Sequence, residues 1–200
     1  MRISASNLGC VRGSREIFRN VNFSLGSGQA LAVLGPNGAG KSSLLRIVAG
    51  LLPSAAGQLT LDGGDPELTI PEQTHYVGHQ DALKPSLSVG ENLTFWARYL
   101  GGGANAVSEA LAAVGLAPIR DLPAGYLSAG QRRRLSLARL VAVQRPIWLL
   151  DEPASALDQA AQVRLVDLMR AHLAGGGVIL AATHAPLGLD AQELRLEGIV

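Results

Sequence analysis

GPNGAGKS, residues 35–42, lies between an apolar run and a segment with helical spacing. The run ALAVLG (30–35) has the length of a buried strand, and SSLLRIVAGLL (42–52) repeats apolar residues three and four positions apart. A strand, the loop G-x-x-x-x-G-K-[ST] and a helix, in that order, are typical of a phosphate-binding loop. We therefore predict a nucleoside phosphate site here. An ordinary glycine turn before a capped helix is the alternative, and the flanking elements disfavour it.

Each residue type in this loop suits phosphate binding for a chemical reason. Gly38 and Gly40 let the backbone wrap closely, so that amide groups and the helix N-terminus point at phosphate oxygens. Lys41 supplies a compact positive charge to the β- and γ-phosphates, and Ser42 offers its hydroxyl to Mg²⁺. The predicted nucleotide-binding residues are Gly35, Pro36, Asn37, Gly38, Ala39, Gly40, Lys41, Ser42 and Ser43.

Two further apolar runs end in polar residues that suit hydrolysis. IWLLDE (147–152) and VILAATH (178–184) are typical of strands buried on both faces of a parallel sheet, whose carboxyl ends share one edge. Asp151 is placed to hold Mg²⁺ and Glu152 to polarise the attacking water. His184 would reach the same edge and touch the γ-phosphate. The alternatives are solvated acids at a strand end and a structural histidine.

Composition favours one compact α/β domain without a nucleic-acid partner. The chain has 200 residues, 48% of them hydrophobic, and its 17 Lys and Arg balance 16 Asp and Glu. Residues 88–143 have helical spacing throughout and are predicted to form an inserted helical subdomain with its own core. We interpret the arginine run 132–134 as a solvated helix face that compensates phosphate charge.

The order of motifs resembles that of the ATP-binding-cassette (ABC) ATPases over nearly the whole chain. The motifs are GPNGAGKS, Gln80, LSAGQ (127–131), IWLLDE, SALD (155–158) and His184. The resemblance implies a P-loop NTPase fold of the ABC type. Such a fold has a parallel core sheet, an N-terminal antiparallel β subdomain and a helical subdomain that carries the LSAGQ signature. It also implies ATP hydrolysis with Mg²⁺, in which Gln80 reaches the metal and the attacking water.

In this family two copies face each other, and each ATP lies between the phosphate loop of one copy and the signature of the other. The resemblance therefore implies a homodimer in which Ser128, Ala129, Gly130 and Gln131 act in trans. A helix N-terminus at the signature suits γ-phosphate binding. Asp158 would then lie near the dimer seam.

Two residues depart from the family pattern. Ala129 stands where the family usually has glycine, which is harmless if the backbone φ there is negative and weakens the ATP clamp if it is not. Arg12 stands near the position of the aromatic residue that usually stacks on adenine. A guanidinium can also stack on a base, and a plain surface arginine is the alternative.

Within the family, residues 77–96 and 127–140 are most similar to the ATPase subunits of cytochrome c maturation systems, which are described as heme exporters. The resemblance implies a peripheral protein on the cytoplasmic face of the bacterial inner membrane, with an integral-membrane permease as partner. Heme export follows from the resemblance alone. The alternatives are a motor for a different exported substrate and a soluble cassette ATPase that works on ribosomes or DNA.

His75 and His79, in THYVGHQ (74–80), raise the question of a metal site. On a helix they would share one face, but we predict a strand, on which residues four apart are separated by ~13 Å. One metal ion could not bind both side chains, and we expect packing or surface roles for them.

Overall fold

The computed structural model describes residues 1–103 and 106–197, which fall into two compact units. The first unit comprises Met1–Gly78, Pro146–Pro153 and the chain from Met169 onward; the second comprises His79–Arg145 and Ala154–Leu168. The described strands and longer helices follow in the order β1 (Arg2–Arg12), β2 (Arg15–Gly26), β3 (Ala30–Leu34), α1 (Lys41–Val48), β4 (Ala56–Asp62), β5 (Thr74–Val77), α2 (Val89–Tyr99), α3 (Ala106–Ala113), α4 (Ala129–Ala142), β6 (Ile147–Asp151), α5 (Gln159–Ala174), β7 (Val178–Ala182) and β8 (Gln192–Arg195).

The first unit contains two sheets. Strands β2, β1 and β4 pair in that order and antiparallel, which confirms the predicted N-terminal β subdomain. Strands β5, β6, β7, β3 and β8 form a parallel sheet in that order, which confirms the predicted core sheet. Every residue of β6 and β7 is buried, because helices and strands cover both faces of a central parallel strand.

One apolar core joins the elements of this unit. Side chains from β1, β2, α1 and the parallel strands meet in it, among them Leu8, Phe18, Leu44, Leu149 and Leu180. Burial of this apolar surface is the main force that holds α1 on the sheet, and it sets the position of the loop from which α1 begins.

At the side of the sheet, the imidazole of His172 stacks on the indole of Trp148 with 3.9 Å between ring centres. The Nε2 atom of His172 lies 3.3 Å from the carbonyl oxygen of Val178. Burial lowers the pKa of His172, and hydrogen bonds to the carbonyls of Val178 and Pro146 oppose that shift. The native protein therefore favours the neutral imidazole.

The second unit has its own core, formed by α2, α3 and α4. Val89, Leu93, Leu111, Leu135 and Ala138 are among its buried residues. Helices α2 and α4 each begin with a capping box, in which a serine side chain and the side chain three residues later bind each other's backbone amide. Among the residues that the structure describes, no helix is long and apolar enough to cross a membrane.

Two elements are shorter than the sequence predicts. Helix α1 ends at Val48 rather than at residue 52, because Gly50 takes a φ of 69° and the amide of Leu51 turns back to the carbonyl of Arg46. Strand β5 ends at Val77 rather than at Gln80. His75 is therefore buried in the sheet, whereas His79 is exposed beyond the strand.

Candidate active site

The carboxyl ends of three neighbouring strands form the candidate site. Ala182 of β7 stands in register with Val33 of β3 on one side and with Asp151 of β6 on the other. The loop after β3, the two acids at the end of β6 and His184 after β7 therefore lie at the same edge of the sheet. This is the edge at which open parallel sheets bind ligands.

The loop at residues 35–42 needs glycine for two different reasons. Gly38 takes a φ of 84° with open space around it, so its requirement is conformational. Gly40 has a φ of 100° and caps α1, and a Cβ there would lie 2.6 Å from Ile17 and 2.7 Å from Phe18. Strand β2 therefore packs directly against the turn that begins the helix, and only glycine fits.

Lys41 is buried, and its ammonium group is already held in position. Its Nζ donates hydrogen bonds to the carbonyl oxygens of Gly35 at 2.8 Å and Pro36 at 3.2 Å. The Nε2 of His184 lies 3.0 Å from the same ammonium group. These contacts compensate the charge for lost hydration and place it inside the loop, where a phosphate would meet it.

His184 has three partners for one nitrogen atom. Its Nε2 lies 3.0 Å from Lys41 Nζ, 2.9 Å from Asn37 Oδ1 and 3.4 Å from Glu152 Oε1. Without a proton, Nε2 can accept from Lys41; with a proton, it can donate to Asn37 or to Glu152. The imidazole therefore links the loop to the predicted general base and can change partner with its protonation.

Asp151 and Ser42 form the second polar contact of the site. The Ser42 hydroxyl donates to Asp151 Oδ1 at 3.0 Å, and the aspartate is buried. A hydroxyl and a carboxylate are hard oxygen donors of the kind that Mg²⁺ prefers, usually with phosphate and water filling its other positions. The pair fits a magnesium ion bound together with nucleotide.

Glu152 has an unusual backbone. Its φ is 49°, in the left-handed region that residues with a side chain seldom adopt, and its amide donates to the carbonyl of Ala182 at 2.9 Å. Such a conformation costs on the order of 1–3 kcal/mol and occurs often at functional sites. The strain turns the chain after β6, and the side chain meets His184.

The signature lies at the start of α4 in the second unit. Ser128 is the N-cap residue: its Oγ accepts from the amide of Gln131 at 3.2 Å, while Gln131 Oε1 accepts from the amide of Ser128 at 2.8 Å. Ala129 is the first helical residue, and its φ is not positive, so its methyl group carries no left-handed penalty. Gly130 is the restricted position, because a Cβ there would lie 2.8 Å from the carbonyl oxygen of Ala156.

Two of the remaining predicted residues belong to the second unit, and the third ends a strand of the first. Gln80 is exposed in the second unit, and Asp158, also in that unit, accepts from the amide of Ala161 at 2.7 Å and so caps α5. Arg12 is exposed at the end of β1, opposite Arg15. The roles of Gln80, Asp158 and Arg12 in catalysis, at a dimer seam and in adenine binding stay predictions.

The interpretation of the arginine run as a solvated face was wrong. Arg132 donates to the carbonyl of Leu127 at 2.6 Å, and Arg134 donates to the carbonyls of Val114 and Gly115. Arg133 is only 4% exposed. Three successive helical residues point in different directions, and here each direction offers an acceptor within the second unit.

Arg133 and Arg139 also hold the segment that follows Gln80. Arg133 Nη1 lies 3.7 Å from Asp81 Oδ1, and the indole of Trp96 donates to the carbonyl of Ala82 at 3.0 Å. The guanidinium of Arg139 lies 4.5 Å from the centre of the Trp96 ring. Burial and the nearby charge of Arg133 lower the pKa of Arg139 to about 10, which leaves it cationic at neutral pH.

Comparison with known proteins identifies this architecture. A family model for the ABC transporter matches residues 18–155, which is more than half of the chain. An ABC transporter ATP-binding protein from Pyrococcus furiosus has the same fold, with a TM-score of 0.84 at 21% identity over 98% of each chain. The chain belongs to the ABC transporter family and is an ATPase of that type.

Two relatives identify the group within this family to which the chain belongs. The cytochrome c biogenesis ATP-binding export protein CcmA of Nitrobacter winogradskyi is 63% identical over 99% of both chains. The protein of the same name from Bradyrhizobium diazoefficiens is 60% identical over 100% of both chains. The chain falls within the family of the cytochrome c biogenesis ATP-binding export proteins, as the resemblance of residues 77–96 and 127–140 predicted.

Proposed function

We propose that the chain is the ATP-hydrolysing subunit of an export system for cytochrome c maturation, with heme as the exported or handled species. The full-length identity of 63% to an export protein of cytochrome c biogenesis is the observation that carries this proposal. The contacts of Lys41, Asp151, Glu152 and His184 support it, because they supply the groups that ATP hydrolysis requires.

In this proposal the loop at residues 35–42 holds the phosphates, with Lys41 as the fixed positive charge. Ser42 and Asp151 would hold Mg²⁺, and Gln80 would reach the metal and the attacking water when ATP is bound. A bound Mg²⁺ would supply neutralisation of the charge that develops on the phosphates. Glu152 takes the proton of the attacking water, and His184 binds the γ-phosphate.

We propose a homodimer as the hydrolysing species. The signature is supported as a phosphate-binding element because Ser128 begins a fourteen-residue helix, whose N-terminus favours negative charge. The helical subdomain, about residues 88–143, would present this helix to ATP bound by the other copy. Asp158 would stand at the dimer seam, and Arg12 would stack on adenine.

An exposed aromatic surface on α2 supports a protein partner. Phe95 and Tyr99 are 56% and 72% exposed, and their rings stack with 6.1 Å between centres. Leu87 and Arg98 line the same groove. Exposed apolar surface of this kind marks interaction sites. We assign it to the cytoplasmic face of an integral-membrane permease. In this proposal the subunit is a peripheral protein at the inner membrane.

Co-expression with the genomic neighbours tests the partner. We expect the chain to sediment with membranes only when the integral-membrane neighbour is present. The purified complex is then tested for bound porphyrin. Phe95→Asp should release the chain from these membranes, whereas Glu109→Gln, at an exposed position of α3, should not. A chain that stays in the supernatant under every condition would contradict the transport role and favour the soluble alternative.

A further inference from the structure

Both carboxylate oxygens of Asp151 accept hydrogen bonds from side chains of the first unit. Ser42 donates to Oδ1 at 3.0 Å, as the sequence motif suggests. The hydroxyl of Tyr76 donates to Oδ2 at 3.4 Å, and no motif points to this residue. The second bond exists because β5 lies beside β6, with Tyr76 opposite Leu149, two residues before the aspartate.

Arg46 fixes the direction of the Tyr76 hydroxyl. Its Nε donates to the tyrosine oxygen at 3.3 Å from a half-buried position on α1, and this bond is the main cause that raises the pKa of Arg46. The tyrosine oxygen thus accepts from Arg46, and its own proton is available to Asp151. A tyrosine hydroxyl ordinarily titrates at about pH 10, so it keeps this proton at neutral pH.

Gly78 leaves room for the tyrosine ring in this position. A Cβ on Gly78 would lie 3.0 Å from both Cε1 and the hydroxyl oxygen of Tyr76 and 3.1 Å from Cζ. These separations are too short for a relaxed contact, so a side chain at position 78 would displace the ring. The sequence Tyr-Val-Gly at residues 76–78 therefore accommodates the hydroxyl in its place beside Asp151.

We propose that Tyr76, directed by Arg46, is a positioning residue that fixes the carboxylate of Asp151 and thereby sets the affinity for Mg²⁺. The inference rests on the proposed role of Asp151 as a metal ligand. Because Tyr76 holds Oδ2, the carboxylate of Asp151 cannot rotate freely. This restraint persists even when the hydroxyl oxygen of Ser42 directs a lone pair at the metal. Residues that orient a metal ligand in this way typically change metal affinity by about 10- to 100-fold when they are removed.

The experiment measures nucleotide binding, with the full chain carrying Glu152→Gln to suppress turnover. Binding of a fluorescent ATP analogue is titrated with Mg²⁺, and then repeated in EDTA. In Tyr76→Phe, which keeps the ring, we expect the half-saturating Mg²⁺ concentration to rise by about tenfold, the lower end of that range because the bond is long and neutral. Affinity in EDTA should stay within about twofold, since the hydroxyl binds only Asp151 and Arg46 among the contacts described.

Three further variants separate the possible failures. Tyr126→Phe removes the hydroxyl of an exposed tyrosine and should leave the Mg²⁺ dependence unchanged. Arg46→Gln should raise the half-saturating Mg²⁺ concentration by less than Tyr76→Phe does, and should add nothing in the double variant. If Asp151→Asn weakens Mg²⁺ binding and Tyr76→Phe does not, the positioning role is overturned and the proposed site stands. If Asp151→Asn itself has no effect, the proposed metal site fails as well.

Discussion

Replacing Glu152 with glutamine removes the carboxylate charge and keeps almost the same shape. The backbone bond from its amide to Ala182 does not depend on the side chain, so the left-handed turn should persist. The lost chemistry is the acceptance of a proton from water, which a general base usually accelerates by about 10²- to 10⁴-fold. At 1.36 kcal/mol per tenfold, this is about 2.7–5.4 kcal/mol of transition-state stabilisation.

Nucleotide binding should survive the same substitution. Lys41 is held by carbonyl groups of its own loop, and these bonds do not involve the Glu152 carboxylate, which contacts His184. Without turnover, bound ATP should persist, and with Mg²⁺ the chain should elute as a dimer in size-exclusion chromatography. Phosphate release measures the loss of turnover, and Glu109→Gln serves as a control because it neutralises an exposed acid of α3.

A single result would refute the assignment of the base. If Glu152→Gln released phosphate at the rate of the unaltered chain, the proton would have to leave the water by another route. Loss of ATP binding in the same variant would instead show that the carboxylate organises the loop. In that case the contact of 3.4 Å between Glu152 and His184 would be structural.

Four other substitutions test the remaining parts. Lys41→Ala should weaken ATP binding by about 10- to 100-fold, the loss expected for charged hydrogen bonds to phosphate. Calorimetry measures this affinity, and an unchanged value would contradict the assignment of Lys41 to the phosphates. Gly130→Ala should lower the free energy of unfolding by about 1–3 kcal/mol through its clash with Ala156. Ala129→Gly should lower it by less than about 1 kcal/mol. Equal effects of the two substitutions in urea unfolding would contradict the geometry. Because burial lowers the pKa of His172, the unfolded chain binds more protons below about pH 6.5, and stability falls as the pH drops through that range. His172→Phe should flatten the decrease in Tm between about pH 7.5 and 5.5, and parallel profiles would exclude His172 as the cause.

Local sequence predicted the elements that carry the site. Lys41 and Ser42 stand in a motif whose geometry depends on its own glycines, and Asp151 ends a strand that is apolar enough to be recognised alone. The register of β3, β6 and β7 then brings these ends together, as parallel sheets do. Nearest-neighbour patterns therefore suffice for this part of the fold.

Contacts between distant segments could not be predicted in the same way. Tyr76 reaches Asp151 because β5 is the neighbour of β6, and the buried Arg133 lies near Asp81, a residue of a distant segment of the chain. Neither contact can be predicted from the spacing of residues along one element. The end of α1 was mispredicted for another reason, because the apolar pattern runs on past Gly50 although the backbone turns there.

The shared nitrogen of His184 has a practical consequence. A phosphate that draws the ammonium of Lys41 toward itself would remove that partner of Nε2, which could then donate a proton to Asn37, to Glu152 or to the phosphate itself. The tautomer of this one imidazole would then differ between the empty and the loaded loop. Nitrogen-15 spectroscopy of His184 could therefore serve as a built-in reporter of occupancy, without any label on the nucleotide.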